Sequence, residues 1–194
     1  MRKNVAILIF DGVEVLDFAG PFEVFAVTDE IRSHAEFNVA TVAPVPGAIR
    51  ARNGLRVVPD LAIEECPPPR ILVVPGGSGT RALLGNAVLI EWIRTMSRAS
   101  EVTMSVCTGS LLLAKAGLLD GRRATTHHLA VDTLRELAPR AVVDPGRRFH
   151  DTGGVVTAAG ISAGIDASLH VVGRILGEAA AAKTAAYMEY ERRS

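Results

Sequence analysis

Among the side chains in this sequence, a cysteine at a chain reversal offers the most direct chemistry. Cys107 ends the apolar run Val102-Thr103-Met104-Ser105-Val106 and is followed by Thr108 and Gly109. Ser105 and Gly109, two positions to either side, are small enough for a strand to reverse abruptly into a helix, the sulfur counterpart of a G-x-S-x-G elbow. A sulfur placed there is expected to be exposed at the C-terminal edge of the strand. The helix dipole and free N–H groups would then stabilise a thiolate and lower its pKa from about 8.5 towards neutrality or below. The competing reading is a buried structural cysteine, since Cys is among the most buried residue types. A mid-strand position would favour that reading; a strand end followed by Thr-Gly favours chemistry.

Pro75-Gly76-Gly77-Ser78-Gly79 is the second candidate. Its glycines follow an apolar run and precede a helical pattern, so backbone N–H groups can face an anion. Beside Cys107, the amides of Gly76 and Gly77 would form an oxyanion hole; a turn that merely needs glycine is the alternative. Gly77-x-Gly79-x-x-Ala82 also fits a dinucleotide pattern, but the acid wanted about 20 residues on falls near Glu101, which opens the next strand rather than ending it. Asp17 is the third candidate, a carboxyl among apolar neighbours just ahead of a helix. With Pro21 at the first helical position, Gly20 becomes the cap and Asp17 is free of that role. Such a carboxyl can have a raised pKa and donate a proton, and Glu23 competes for the same task. His127 can carry a base, although the adjacent His128 should point away from it on any regular element. His34, His150 and His170 lack ligand spacing, so no metal site is expected. Cys66, beside Glu64-Glu65 and three prolines, reads as an incidental loop residue.

The elements that must position these residues follow from the apolar pattern. Val5 to Phe10 is a continuous apolar run, as expected of a strand buried on both faces of a parallel sheet, and Phe37 to Val42, Ile71 to Val74 and Val102 to Val106 read as further strands. Gly54 to Pro59 reads as a hairpin or edge piece, and Ala141–Val143, Arg148-Phe149 and Val155–Thr157 as short strands. Helices are expected from Pro21 to about Ile31, Thr80 to Ser97, Ser110 to Ala116 with Gly117 as the stop, and His128 to Leu137. Ile161 to about Glu191 reads as mostly helix, in one or two pieces. Strands alternating with helices make this an α/β protein, a three-layer sandwich around a mostly parallel sheet.

At 194 residues, one domain spanning 1–194 accounts for the chain. Formal net charge is zero and no Lys/Arg block stands out, which gives no electrostatic footprint for nucleic acid. No apolar run approaches the ~20 residues that span a bilayer. The N-terminal apolar stretch is short for a secretory signal. Two cysteines with no CxxC spacing suggest a reduced, cytoplasmic setting.

Taken together, these blocks resemble the ThiJ/PfpI superfamily, with its flavodoxin-like, class I glutamine-amidotransferase-like fold. The resemblance rests on the run from Ile9 to Glu23, on Val74-Pro75-Gly76-Gly77, on Ser105 to Ser110, on Ala116 to His127, and on Thr157 to Asp166. Two branches are most similar: isocyanide hydratases and the sensor half of AraC-type regulators. Peptidase-like members place His where this chain has Thr108, and deglycase-type members usually carry Glu where it has Asp17. The hydratase resemblance implies that Cys107 attacks an isocyanide carbon to give a thioimidate. Asp17 would move the proton and activate water, and Thr108 would position thiol or water. Gly76, Gly77, His127 and Ile161 would line the oxyanion and substrate site, with no cofactor or metal. It also implies a small-molecule substrate and a homodimer with the site near the interface. The alternatives are a ligand- or redox-sensing domain, for whose DNA-binding partner the chain's end at Ser194 leaves no room, and a glyoxalase- or deglycase-type repair enzyme.

Overall fold

The computed structural model describes residues 2–193. In chain order the elements are β1 (Lys3–Leu8), α1 (Val15–Glu30), β2 (Phe37–Ala43), β3 (Ile49–Arg50), β4 (Arg56–Val57), β5 (Leu61–Ala62) and β6 (Ile71–Val74). They continue as α2 (Thr80–Leu83), α3 (Ala87–Ala99), β7 (Val102–Val106), α4 (Gly109–Lys115), β8 (Arg123–Ala124), α5 (Val131–Leu137) and β9 (Val142–Val143). The chain closes with β10 (Phe149–Asp151), β11 (Val155–Ala158), α6 (Ala163–Leu176) and α7 (Glu178–Tyr187). The main sheet has the order β10-β11-β7-β6-β1-β2-β5, parallel except for the antiparallel β10–β11 pair. Helices α1, α6 and α7 pack together on one face, and α2, α3 and α5 gather around α4 on the other. The result is a three-layer α/β sandwich, as the sequence pattern requires. Residues of β6 and β7 are buried throughout, which explains the unbroken apolar run of β6; in β7 the small polar side chains of Thr103 and Ser105 are buried with the rest.

After β2 the chain crosses back over β1 to reach β6, so the connections leaving β1 and β6 diverge to opposite sides. That reversal opens a crevice at the C-terminal ends of the strands, the usual ligand position in open α/β sheets. The β1–α1, β6–α2 and β7–α4 connections all meet there, joined in part by an isolated bridge between Val13 and Gly77.

Three expectations need correction, while the C-terminal helix comes in two pieces, one of the forms expected. Helix α1 begins at Val15, not near Pro21, so Asp17 lies in its first turn and Pro21 lies inside it. Pro21 lacks the amide that would bond the Asp17 carbonyl; burial of Phe18, Val24 and Phe25 keeps the segment helical despite that loss. The helix expected over 80–97 is two, because Asn86 caps α3 by accepting from the Leu89 N–H at 3.0 Å. The segment His128–Ala130 is a 3-10 turn ahead of α5 rather than its first turn. The C-terminal helix breaks at Gly177, which has φ +91°. The two-residue strands β5 and β8 carry too little sequence signal to be read at all.

Close backbone packing between β6 and the start of α4 sets the frame of the crevice. A Cβ on Gly109 would lie 2.0 Å from the Val74 carbonyl oxygen, and neither group is a movable side-chain end. Gly109→Ala is therefore expected to cost several kcal/mol of stability, in the range of a severe backbone clash. Urea unfolding of the variant checks this, and an unchanged midpoint would show that the strand and helix are not so closely held.

Candidate active site

Cys107 sits between β7 and α4 with φ +56°, a left-handed conformation that a non-glycine residue adopts only under constraint. The constraint is visible. Its N–H donates to the Ala159 carbonyl at 2.8 Å, and its carbonyl accepts from Thr126 Oγ1 at 3.0 Å and Ser110 Oγ at 3.1 Å. The side chain is thereby turned to the floor of a cavity of about 220 Å³. Thr108, Ile161 and His127 share that floor and wall, while Glu14, Arg52 and Arg81 stand in the same lining.

Asp17 reaches the sulfur from below. It is 0% exposed, and its Oδ2 accepts from the Gly76 N–H at 3.0 Å. Its Oδ1 is buried and has no hydrogen-bond partner among the described residues. The Cys107 thiol is near enough to the carboxyl for each group to shift the other's titration. Burial raises the Asp17 pKa to about 7; the Gly76 amide opposes the shift, and the nearby Glu14 charge adds to it. Burial likewise pushes the Cys107 thiol up to about 12, with the Asp17 charge as the next cause. The N–H groups of Thr108 and Ile161 face the sulfur and pull the other way, but too weakly to win. Ile161 achieves this from another strained position, φ +38°.

These findings correct the sequence reading of Cys107. The residue is 6% exposed rather than open to solvent, and burial holds its thiol pKa well above the ordinary value. The strand-to-helix turn supplies one amide, from Thr108, and the β11–α6 connection a second, from Ile161, yet desolvation and the adjacent carboxyl outweigh them. The oxyanion role expected of Gly76 and Gly77 is also displaced. The Gly76 amide is spent on Asp17, and the Gly77 amide donates to Thr108 Oγ1 at 2.9 Å. Gly76 must be glycine for a different reason: a Cβ there would lie 2.5 Å from the Thr108 backbone nitrogen and 3.0 Å from Asp17 Oδ2. The Thr108 hydroxyl, 3.0 Å from Thr80 Oγ1, ties the β6–α2 loop to the β7–α4 turn. Its amide, rather than its hydroxyl, addresses the sulfur.

His127 lines the cavity with its pKa lowered by burial and by its neighbours His128 and Arg52. Its Nδ1 accepts from the Leu129 N–H at 3.3 Å, so the neutral ring carries its proton on Nε2. The two adjacent rings do not point apart: their centroids are 4.3 Å from each other, because His127 caps a 3-10 turn instead of continuing a regular element. Glu23 is exposed on α1 and takes no part. Cys66 is buried in the core, with burial raising its pKa, and so packs as a structural residue. Among the described residues no three His, Cys, Asp or Glu side chains converge as metal ligands, and no helix is long and apolar enough to cross a membrane. The Glu14–Arg52 ion pair, at 2.7 Å, had no sequence signal, because the β3–β4 hairpin brings Arg52 from far along the chain.

A model of the DJ-1/PfpI family matches residues 3–174. The chain belongs to the DJ-1/PfpI family. It is 34% identical over 190 residues to an isonitrile hydratase of Pseudomonas putida, a match covering 98% of this chain and 79% of that protein. It is 33% identical over 179 residues to the HTH-type transcriptional regulator CdhR of Pseudomonas aeruginosa, covering 91% of this chain and 52% of the regulator. The crystal structure of a ThiJ/PfpI family protein from Pseudomonas syringae superposes with a TM-score of 0.89 at 28% identity, covering 100% of this chain and 77% of that one.

The raised Asp17 pKa has a consequence for stability. The unfolded carboxyl ionises near 3.8 and the folded one near 7, so stability is fully present below about pH 4 and falls as pH rises to about 7. Asp17→Asn removes that penalty. The variant is expected to gain on the order of a few kcal/mol at neutral pH, with the gain vanishing towards pH 4. Thermal melts at both pH values check this; a variant no more stable than wild type at neutral pH would mean that the buried carboxylate costs nothing.

Proposed function

We propose that this protein is a cysteine-dependent hydratase that converts an isocyanide into an N-substituted formamide. The observation that carries the reading is a buried carboxyl with one unpartnered oxygen beside a thiol at the floor of a small cavity. Similarity to an isonitrile hydratase over nearly the whole chain supports it. The terminal carbon of R–N≡C must receive both a nucleophile and a proton, and the pair offers one of each.

In the ionised form, Asp17 takes the S–H proton as Cys107 Sγ bonds to the isocyanide carbon, then passes that proton to the same carbon. The product of this step is the thioimidate R–N=CH–S–Cys107. The Thr108 and Ile161 amides stabilise negative charge on sulfur while the proton is in transit. Asp17, again a carboxylate, accepts a proton from water as the water oxygen bonds to the carbon, and the nitrogen receives that proton. The adduct R–NH–CH(OH)–S–Cys107 collapses by breaking its C–S bond. Sulfur leaves and recovers a proton from the hydroxyl, giving R–NH–CHO and the free thiol. Every proton is accounted for, and the chain's own groups supply each step. We place the site near a homodimer interface, a reading supported by Leu129, a residue of the cavity lining that is 77% exposed.

A sensor role is favoured by the identity to an HTH-type regulator, and product analysis separates the two readings. Wild-type protein with an alkyl or aryl isocyanide is expected to give formamide. Cys107→Ala is expected to give none, and Asp17→Asn to be slower by about 10²–10⁴-fold, the usual worth of a positioned acid–base group. Below about pH 7 both members of the pair hold their protons and no base faces the thiol. The wild-type kcat/KM is thus expected to rise with pH up to about 7 and then level. No formamide from any isocyanide, with Cys107 still open to alkylation, would favour the sensor.

A further inference from the structure

The approach to Cys107 carries more positive charge than its function as a hydration site requires. A larger open groove adjoins the catalytic cavity and shares Arg52 and Ser78 with it. Four guanidinium groups line the two spaces, from Arg50, Arg52, Arg56 and Arg81, against the carboxylates of Asp11 and Glu14. Both carboxylates are already engaged. Glu14 Oε2 accepts from Arg52 Nη1 at 2.7 Å, and Asp11 Oδ1 accepts from the Arg50 backbone N–H at 2.7 Å. Arg50, Arg56 and Arg81 have no carboxylate within ion-pair distance among the described residues. The excess is local, since the chain as a whole carries no formal net charge.

The fold also holds the backbone that carries Arg50 and Arg52. The Gly12 N–H donates to the Arg50 carbonyl, and the Arg52 N–H to the Val13 carbonyl, each at 2.8 Å. The β3–β4 hairpin is thereby bound to the β1–α1 connection that delivers Asp17. Arg81, in α2 just after the Gly76-Gly77 loop, approaches from the opposite side and lines the catalytic cavity itself. A guanidinium beside a low-dielectric wall concentrates anions at the mouth and can hold a carboxylate with two parallel hydrogen bonds. We infer that the substrate is an anionic electrophile, a small molecule with a carboxylate on the side away from its reacting carbon, selected by Arg81 at the cavity wall. The inference rests on the hydratase reading for the reacting carbon, but the preference for an anion belongs to the cavity and can be measured without turnover.

The test compares alkylation of Cys107 by iodoacetate and by iodoacetamide, reagents of nearly the same size that differ in charge, with the modified peptide identified by mass so that Cys66 does not contribute. In each case sulfur bonds to the methylene carbon, iodide leaves and the thiol proton is lost. The acetate-to-acetamide rate ratio at low salt is expected to exceed that of free glutathione by about 2- to 5-fold, the worth of one exposed ion pair. High salt is expected to bring the ratio back towards that of glutathione. Arg81→Gln should reduce the ratio several-fold, and Arg81→Lys, which keeps the charge, should retain most of it. A ratio at or below that of glutathione at low salt, or one that Arg81→Gln leaves unchanged, overturns the inference. A matched pair of isocyanides, one with a carboxylate and one with its methyl ester, then separates the two claims. Turnover of both with equal KM contradicts anion selection alone, whereas turnover of neither, alongside a raised alkylation ratio, contradicts hydration alone.

Discussion

A dry pocket will hold one negative charge more readily than two, and that limit organises this site. Asp17 has a single amide to stabilise its carboxylate, and Cys107 has two to stabilise its sulfur, while both are removed from bulk water. Coulomb repulsion between neighbouring anions grows as the surrounding dielectric falls. Over a wide pH range, then, carboxyl and thiol together hold one proton, and the proposed hydration turns on where that proton goes as a substrate carbon arrives. A fully ionised sulfur would be a nucleophile without a proton to deliver; a fully protonated pair would have no base. The intermediate state supplies both.

The frame around the pair serves that limit. Helix α1 starts early enough to insert Asp17 beneath the sulfur, at the expense of a proline inside the helix. Gly76 and Gly109 let the β6 and β7 connections approach more closely than any side chain would permit. Thr108 closes the seam between them with its hydroxyl and keeps its amide for the sulfur. Two non-glycine residues, Cys107 and Ile161, adopt left-handed backbone conformations at this point. Two strained backbone positions and a desolvated carboxyl with an unpartnered oxygen thus meet at one place, as expected where local stability is exchanged for function.

Much of this was legible before the fold was seen. The central strands β1 and β6 were plain because residues buried on both faces leave a continuous apolar run, and the reversal at Cys107 was plain because small neighbours flank it. Asp17 was legible as a carboxyl without a surface role, although the reason offered, a helix starting at Pro21, did not hold. The thiol's protonation state was not legible: local sequence shows the amides that lower a pKa, whereas the burial that raises it depends on α1 and α6 closing over the site. The same blindness hid the glycine amides' true partners, since Asp17 and Thr108 lie 59 and 31 residues away. The arginine-lined approach was hidden too, being assembled from a hairpin and a short helix that carry no motif.

The central claim is that Asp17 and Cys107 titrate as a unit that resists a second charge, and thiolate absorbance near 240 nm reports it directly. Wild type minus Cys107→Ala isolates the Cys107 signal, and the same difference in an Asp17→Asn background isolates the contribution of the carboxylate. The account requires little thiolate in the wild type at neutral pH and a distinctly lower Cys107 pKa once Asp17 is Asn. A Cys107 pKa that is already below neutrality in the wild type, or that does not move on replacing Asp17, would contradict it.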